Sequence, residues 1–197
     1  MDTEPGLRAR KKLRTRNELT EAALRLFAGQ GYEATTVGQI AAAANVSRAT
    51  FFNYFTDKED VIFADNEAHE GLLREFLSAA DRPPTPREAL LQAVERMLAA
   101  PVWSVDPGSD LVLVRARLIA AEPALRARAL LRVADLHSAW ALALRAAYPE
   151  ELDEIAAAAL CGAVIGAVLG AAASHLKSGG EAAALPGVVR RAAGRFA

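Results

Sequence analysis

Six cations, Arg8, Arg10, Lys11, Lys12, Arg14 and Arg16, fall within nine residues that contain no acid. A block of that density can neutralise phosphates or an anionic surface, although a solvated tail has the same composition. Further along, Ser47-Arg48-Ala49-Thr50 places a hydroxyl suited to capping a helix directly before a cation, a methyl and a second hydroxyl. A guanidinium at such a place can pair through two hydrogen bonds with a guanine edge, and an alanine methyl can pack on a thymine methyl. Thr36, Thr50, Asn53, Tyr54 and Lys58 are types that reach phosphate oxygens, as do the open amides at helix N-termini. Catalytic chemistry finds less support. Cys161 lies in an apolar run with no cation to activate it, so an inert buried thiol is expected. His69, His137 and His175 are scattered, and the Asp65/His69 pair at i, i+4 has no third ligand at suitable spacing. Neither an enzyme nor a metal or other cofactor is expected.

The elements that position these groups are read from caps and periodicity. Leu19, Ala22, Ala23, Leu26 and Phe27 make one apolar helical face behind Thr15-x-x-Glu18, which has capping-box spacing, with Gly29 and Gly31 as a stop. Thr36-x-x-Gln39 is a second capping box, opening a short helix that ends near Asn45, a residue tolerant of left-handed geometry. Ser47 caps a third helix, 48–55. Two short helices across a tight turn make the helix-turn-helix pattern, with Phe51 and Phe55 as its core and Arg48, Ala49 and Thr50 in the turn that enters the major groove. A long fourth helix is expected over about 57–80, ending at the prolines of 83–86. Thr85-Pro86, Ser109-Asp110, Glu122-Pro123 and Tyr148-Pro149 then open helices near 86–100, 109–121, 123–147 and 149–178, and the last runs 181–196.

Composition agrees. The chain has 197 residues and 45 alanines, a residue at home in helices and depleted in strands, so an all-α fold of about nine helices is expected. At 52% hydrophobic it is too apolar for a disordered chain. One cysteine forms no internal disulfide, and the opening MDTEPGLRARKK has no apolar stretch behind its charges, which argues for a cytoplasmic protein rather than a secreted one. The formal charge of -1 averages a basic N-terminal segment and a mildly acidic remainder.

The run from Thr36 to Asp60, TVGQIAAAANVSRATFFNYFTDKED, resembles the DNA-binding domain of the TetR family of bacterial transcriptional regulators, and the resemblance extends over about 14–63. Two positions depart from the family: Asn45 stands where glycine is usual, and Phe52 falls in a Phe51-Phe52 pair where Leu-Tyr is common, removing a hydroxyl that often meets a phosphate. The resemblance implies a domain plan of 1–13 as a basic flexible arm, 14–60 as the DNA-binding domain and 61–197 as an effector-binding and dimerisation domain. It places Gln39 near the groove and Phe52 on the DNA-facing helix. Arg10, Lys11 and Lys12 of the arm would follow the backbone or the minor groove.

It further implies a homodimer on a palindromic operator of double-stranded DNA, and a small-molecule effector in the C-terminal domain, most simply one that relieves repression. Phe76, Met97, Trp103, Arg115, Arg117, His137 and Trp140 are the larger or polar side chains that can line such a pocket, with His137 and Trp140 sharing a face at i, i+3. An amphipathic or acyl-type ligand suits that lining. Residues 155–174 hold no ionisable group but Cys161, long enough for a membrane span, yet mostly alanine and glycine. Gly162, Gly166, Gly170 and Ser174 recur every fourth residue, a stripe that lets helices approach closely. With Val168 they are the expected dimer interface, and no membrane partner is expected. The rival readings are a membrane-associated protein anchored through 155–174 and a DNA-binding regulator without an effector.

Overall fold

The computed structural model describes residues 7–79, 82–100 and 103–195. Among them are nine α-helices and no strand: α1 Leu7–Gln30, α2 Val37–Ala43, α3 Arg48–Phe52, α4 Asn66–Ser78, α5 Pro86–Ala99, α6 Asp110–Ala121, α7 Pro123–Ala147, α8 Glu154–Lys177 and α9 Leu185–Gly194. Short 3-10 turns occupy Asp60–Phe63 and Ala182–Ala184. The chain divides into two compact units, Met1–Asp65 with Val102–Arg126, and Asn66–Pro101 with Ala127–Ala197. The linear order does not disclose that α6 returns to the first unit.

In the first unit α1 packs on α2, on α6 and on the 3-10 turn. Leu19, Ala23, Leu24 and Phe27 from α1 are buried with Ile40, Ala41, Phe51, Phe55, Val61 and Ile62. Each such large side chain removed from water stabilises the fold by roughly 1.5 to 3 kcal/mol. Three local expectations are corrected here. The cations read as a flexible arm lie on α1 from Arg8 onward, because nothing between Leu7 and Ala28 breaks a helix and Arg, Lys and Leu favour one; residues 1–6 lie outside the described residues. The Thr15 cap is therefore not used, since Thr15 sits inside α1, and Glu18 instead accepts from Arg14 at 2.8 Å. The long helix expected from Asp57 is interrupted. Asp57 accepts from the Asp60 amide at 2.7 Å, and Asp60 takes both the Thr56 amide and hydroxyl. The run 61–65 that follows is buried at every residue, which a one-faced α-helix does not allow, and the chain tightens into a 3-10 turn before α4 begins at Asn66.

The second unit is a bundle of α4, α5, α8 and α9 with most of α7. Its core joins Leu73, Phe76 and Leu77 to Leu90, Val94, Trp140, Leu144, Cys161 and Val164. Small residues, Ala89, Ala93, Ala157 and Ala193, bring the helices close. Thr85 accepts from the Glu88 amide and Pro86 opens α5, as its sequence anticipates. α8 starts at Glu154 rather than at 149, because Asp153 supplies its cap by accepting from Ala156, and Tyr148 is held back by donating its hydroxyl to Pro83 O at 2.6 Å. At the far end Gly179, at φ +77°, closes α8 in left-handed geometry.

Candidate nucleic-acid interface

α2 and α3 are too short to persist alone, and side-chain caps hold both. The Thr36 hydroxyl accepts from the Gln39 amide at 3.3 Å while the Gln39 carboxamide oxygen accepts from the Thr36 amide at 2.8 Å, completing the capping box. Asn45 takes φ 54°, the left-handed geometry in which asparagine substitutes for glycine, and the turn closes with Val46 N donating to Ala41 O at 2.9 Å. Ser47 accepts from the Thr50 amide at 3.0 Å and shares a 2.9 Å hydrogen bond with the Thr50 hydroxyl. Phe51 and Phe55 are buried and stack 5.6 Å apart, anchoring α3, with the Arg16 guanidinium 5.2 Å from the Phe55 ring centre.

This scaffold leaves a defined set of groups outward. Arg48, Ala49, Phe52 and Asn53 are exposed, and Tyr54 is half-buried. A Cβ on Gly38 would stand 3.7 Å from Arg48 Cδ, so the Arg48 stem runs along the first turn of α2 where glycine leaves room. Phe52 is 52% exposed and is held edge-on to Phe51 at 5.5 Å. Gln39 is exposed on α2, and Arg10, Lys11 and Lys12 are exposed on the opening turns of α1. The hydroxyls of Thr36 and Thr50, and the amides of Gln39 and Thr50, are already engaged in caps.

Lys58 departs from expectation. Its ammonium donates to Tyr32 O at 2.8 Å and to Thr35 O at 3.4 Å, and lies 4.2 Å from the Tyr32 ring centre. It closes the loop between α1 and α2 instead of reaching for phosphate, which corrects its assignment. Burial and nearby carboxylates, Glu59 foremost, push the Tyr32 phenol well up from its usual value.

The residues expected in a pocket fall in both units. Trp103 and Arg115 belong to the first unit, whereas Phe76, Met97, His137 and Trp140 belong to the second. Arg115 is a structural cation: it donates to Asp65 at 2.6 Å and to the Ser104 hydroxyl at 2.9 Å, while the Ser104 amide donates to the other Asp65 oxygen at 2.7 Å. Trp103 offers its carbonyl to Asn17. In the second unit Phe76 is buried beneath the Arg96 guanidinium, 4.3 Å from its ring centre. His137 Nε2 lies 2.8 Å from Ala158 O, clasping α7 to α8. Trp140 is 3% exposed and its indole N–H meets no acceptor among the described residues. Asp65, weighed in the sequence only as an i, i+4 partner of His69, is instead the buried acid that orders this cluster, and its signal in the sequence is an acid closing the apolar run 61–64.

The small-residue stripe of α8 divides as well. A Cβ on Gly162 would meet His137 Nε2 at 3.4 Å, so this glycine seats α7 of its own chain, a correction to its place in a dimer interface. Val168 packs partly on the core, while Gly166, Gly170 and Ser174 are exposed. Cys161 is fully buried and its thiol is pushed up to about 12 by burial, which removes thiolate reactivity. α8 is long and apolar enough to cross a membrane.

The family model described as bacterial regulatory proteins, tetR family, matches residues 19–64, from the middle of α1 to the residue before Asp65. The transcriptional regulator TcmR of Streptomyces glaucescens is 36% identical over 156 residues, covering 76% of this chain and 67% of that protein. Among solved structures, the fatty acid degradation regulator FadR of Bacillus halodurans superposes with a TM-score of 0.56 at 19% identity, over 91% of this chain and 94% of the other. FadR of Thermus thermophilus, a TetR-family repressor solved with lauroyl-CoA, gives 0.53 at 22% identity, over 90% and 92%.

Proposed function

The chain belongs to the TetR family of bacterial regulatory proteins and is a DNA-binding transcriptional regulator; from that premise we propose how its parts divide the work. Arg48 reads bases from the first turn of α3, Ala49 and Phe52 supply apolar contacts, and Asn53, Tyr54, Lys11 and Lys12 hold the backbone. The observation that carries this reading is the exposed Arg48 side chain, whose guanidinium has no acid partner among the described residues, set by the Ser47 cap and guided by Gly38. One helix this short reads few base pairs, so a dimer on a palindrome is the working form.

The second copy docks on the open faces of α7 and α8. Leu130, Leu131, Leu142, Ile155 and Leu169 are all exposed there, beside Gly166 and Gly170. The same apolar face accounts for the length and composition of α8 without a membrane. A small amphipathic effector enters the second unit and releases the operator, as its tighter binding to the DNA-incompetent form requires. Support comes from the unpartnered indole N–H of Trp140, a donor awaiting an acceptor in an apolar core, and from the acyl-CoA carried by the Thermus relative. The regulator works in the cytoplasm, as soluble members of the family do.

Binding-site selection from random duplex DNA tests the reading: a palindrome is expected. Arg48→Ala should then lose about 1 to 3 kcal/mol of discrimination at one symmetric position while melting as the wild type does. An Arg48→Ala protein that bound its operator unchanged would remove Arg48 from base reading. Fatty acyl-CoA esters added to the operator complex should release it and raise the melting temperature of the free protein.

A further inference from the structure

We propose that Gln39 meets DNA as a hydrogen-bond donor only, taking an acceptor such as the guanine O6/N7 edge, thymine O4 or a phosphate oxygen, and that it cannot make the paired N7/N6 contact by which a side-chain amide reads adenine. The inference rests on the DNA-reading role assigned to the first unit. Its basis is the orientation of one carboxamide. The Thr36 main-chain N–H, which can only donate, lies 2.8 Å from Gln39 Oε1, so that atom has to be the oxygen. The same oxygen receives the Thr36 hydroxyl at 3.0 Å and Gln30 Nε2 at 3.2 Å. A carbonyl oxygen has two lone pairs, and three donors converge on this one. No acceptor capacity is left for a ligand.

The amino end is in the opposite condition. Gln39 is exposed, and among the described residues nothing accepts from its Nε2. Adenine is read by a side-chain amide that gives a proton to N7 and accepts one from N6. Gln39 has the first function available and the second fully occupied. Gln30 reinforces the arrangement, since its own amide is fixed by Thr35 Oγ1 at 3.1 Å and reaches Ala34 O at 3.5 Å. The adjacent Gly38 faces both Arg48 Cδ and Thr36 Oγ1, so the first turn of α2 and the base-reading side chain share one surface. A glutamate completes a capping box equally well, yet it offers no proton to DNA.

That difference supplies the test. Binding-site selection and affinity titration are run on the wild type, Gln39→Glu, Gln39→Ala and Gln39→Lys, each with its melting temperature. Gln39→Glu keeps the acceptor for the Thr36 amide and should melt with the wild type, while losing about tenfold in affinity for the selected site. Gln39→Ala should fall comparably, and Gln39→Lys, which loses the cap but keeps outward donors, should hold the wild-type affinity. A base contact shows as a guanine or thymine preference that disappears in Glu and Ala at one symmetric position. A phosphate contact shows as the same loss on every sequence. The inference is overturned if the pair lost is A·T and replacing its adenine by purine, which lacks the N6 amino group, weakens the wild type but not Gln39→Ala, if Gln39→Ala binds as tightly as the wild type, or if Gln39→Lys falls with Gln39→Ala. A wild type that enriches no sequence at all defeats the DNA-reading premise itself, a result distinct from these.

Discussion

The two units bury and display opposite things. Among the described residues, the buried polar and charged side chains Thr20, Thr35, Asp65 and Ser104 all lie in the first unit. The one large exposed hydrophobe among that unit's described residues is Phe52, on α3. The second unit hides an aliphatic and aromatic core, and leaves Leu130, Leu131, Leu142, Ile155 and Leu169 in the open. Polar bonds, those of Asp65 to Ser104 and Arg115 among them, hold the first unit, and its exposed groups are available for a polar partner. The second has an unfinished apolar surface whose natural complement is another apolar face. The two units are thus distinguishable by what each leaves exposed.

The sharpest way to break that contrast is to remove the polar clip of the first unit. Asp65→Ala leaves the Arg115 guanidinium without its carboxylate in a site where the two side chains are 15% and 5% exposed. Stripping one partner from such a pair costs about 3 to 5 kcal/mol, to be read by denaturant unfolding. Replacing both, as Asp65→Ala with Arg115→Leu, should cost less than the single change, because no stranded charge remains. If Asp65→Ala unfolds like the wild type, buried polarity does not hold the first unit together.

A smaller effect is expected where the second unit closes α8. The His175 ring lies against Gly180 so closely that a Cβ there would overlap it, and His175 Nε2 pairs with Glu181 O at 3.0 Å. Gly180→Ala turns the imidazole of this half-buried side chain out of that seat and should destabilise by about 0.5 to 1.5 kcal/mol, the worth of the hydrogen bond it loses. Operator affinity measured well below the melting temperature should be unchanged. A loss of DNA binding at full stability would show that the two units are not functionally separable at this point.

Legibility in the sequence follows the range of the forces involved. Thr36, Asn45 and Ser47 act on amides within three or four residues, so the helix-turn-helix and its outward side chains are readable from spacing alone. Arg115 is not readable in that way: a cation in an apolar helix looks like a pocket group, and its partner stands fifty residues earlier, at Asp65. Gly162 shows a middle case, since small-residue spacing announces a close helix contact without naming the partner, which is His137 of the same chain. Lys58 fails for a related reason. Its place in the family's motif suggests phosphate, but the Tyr32 and Thr35 carbonyls that hold it become neighbours only after α1 and α2 pack.

The finest test compares two serines that the sequence treats alike. Ser47 and Ser109 each precede a helix with extended backbone, at ψ 158° and 154°, and both have the residue type of an N-cap. Only Ser47 makes the cap bond; the Ser109 hydroxyl makes none and is buried without a partner among the described residues. Ser47→Ala should therefore cost about 1 kcal/mol, the usual worth of a cap, and weaken operator binding through α3. Ser109→Ala removes a hydroxyl whose desolvation nothing offsets, so its effect on stability should be near zero or slightly favourable. Equal losses for the two would mean that residue type at the helix start, and not the bond it forms, sets the stability of these helices.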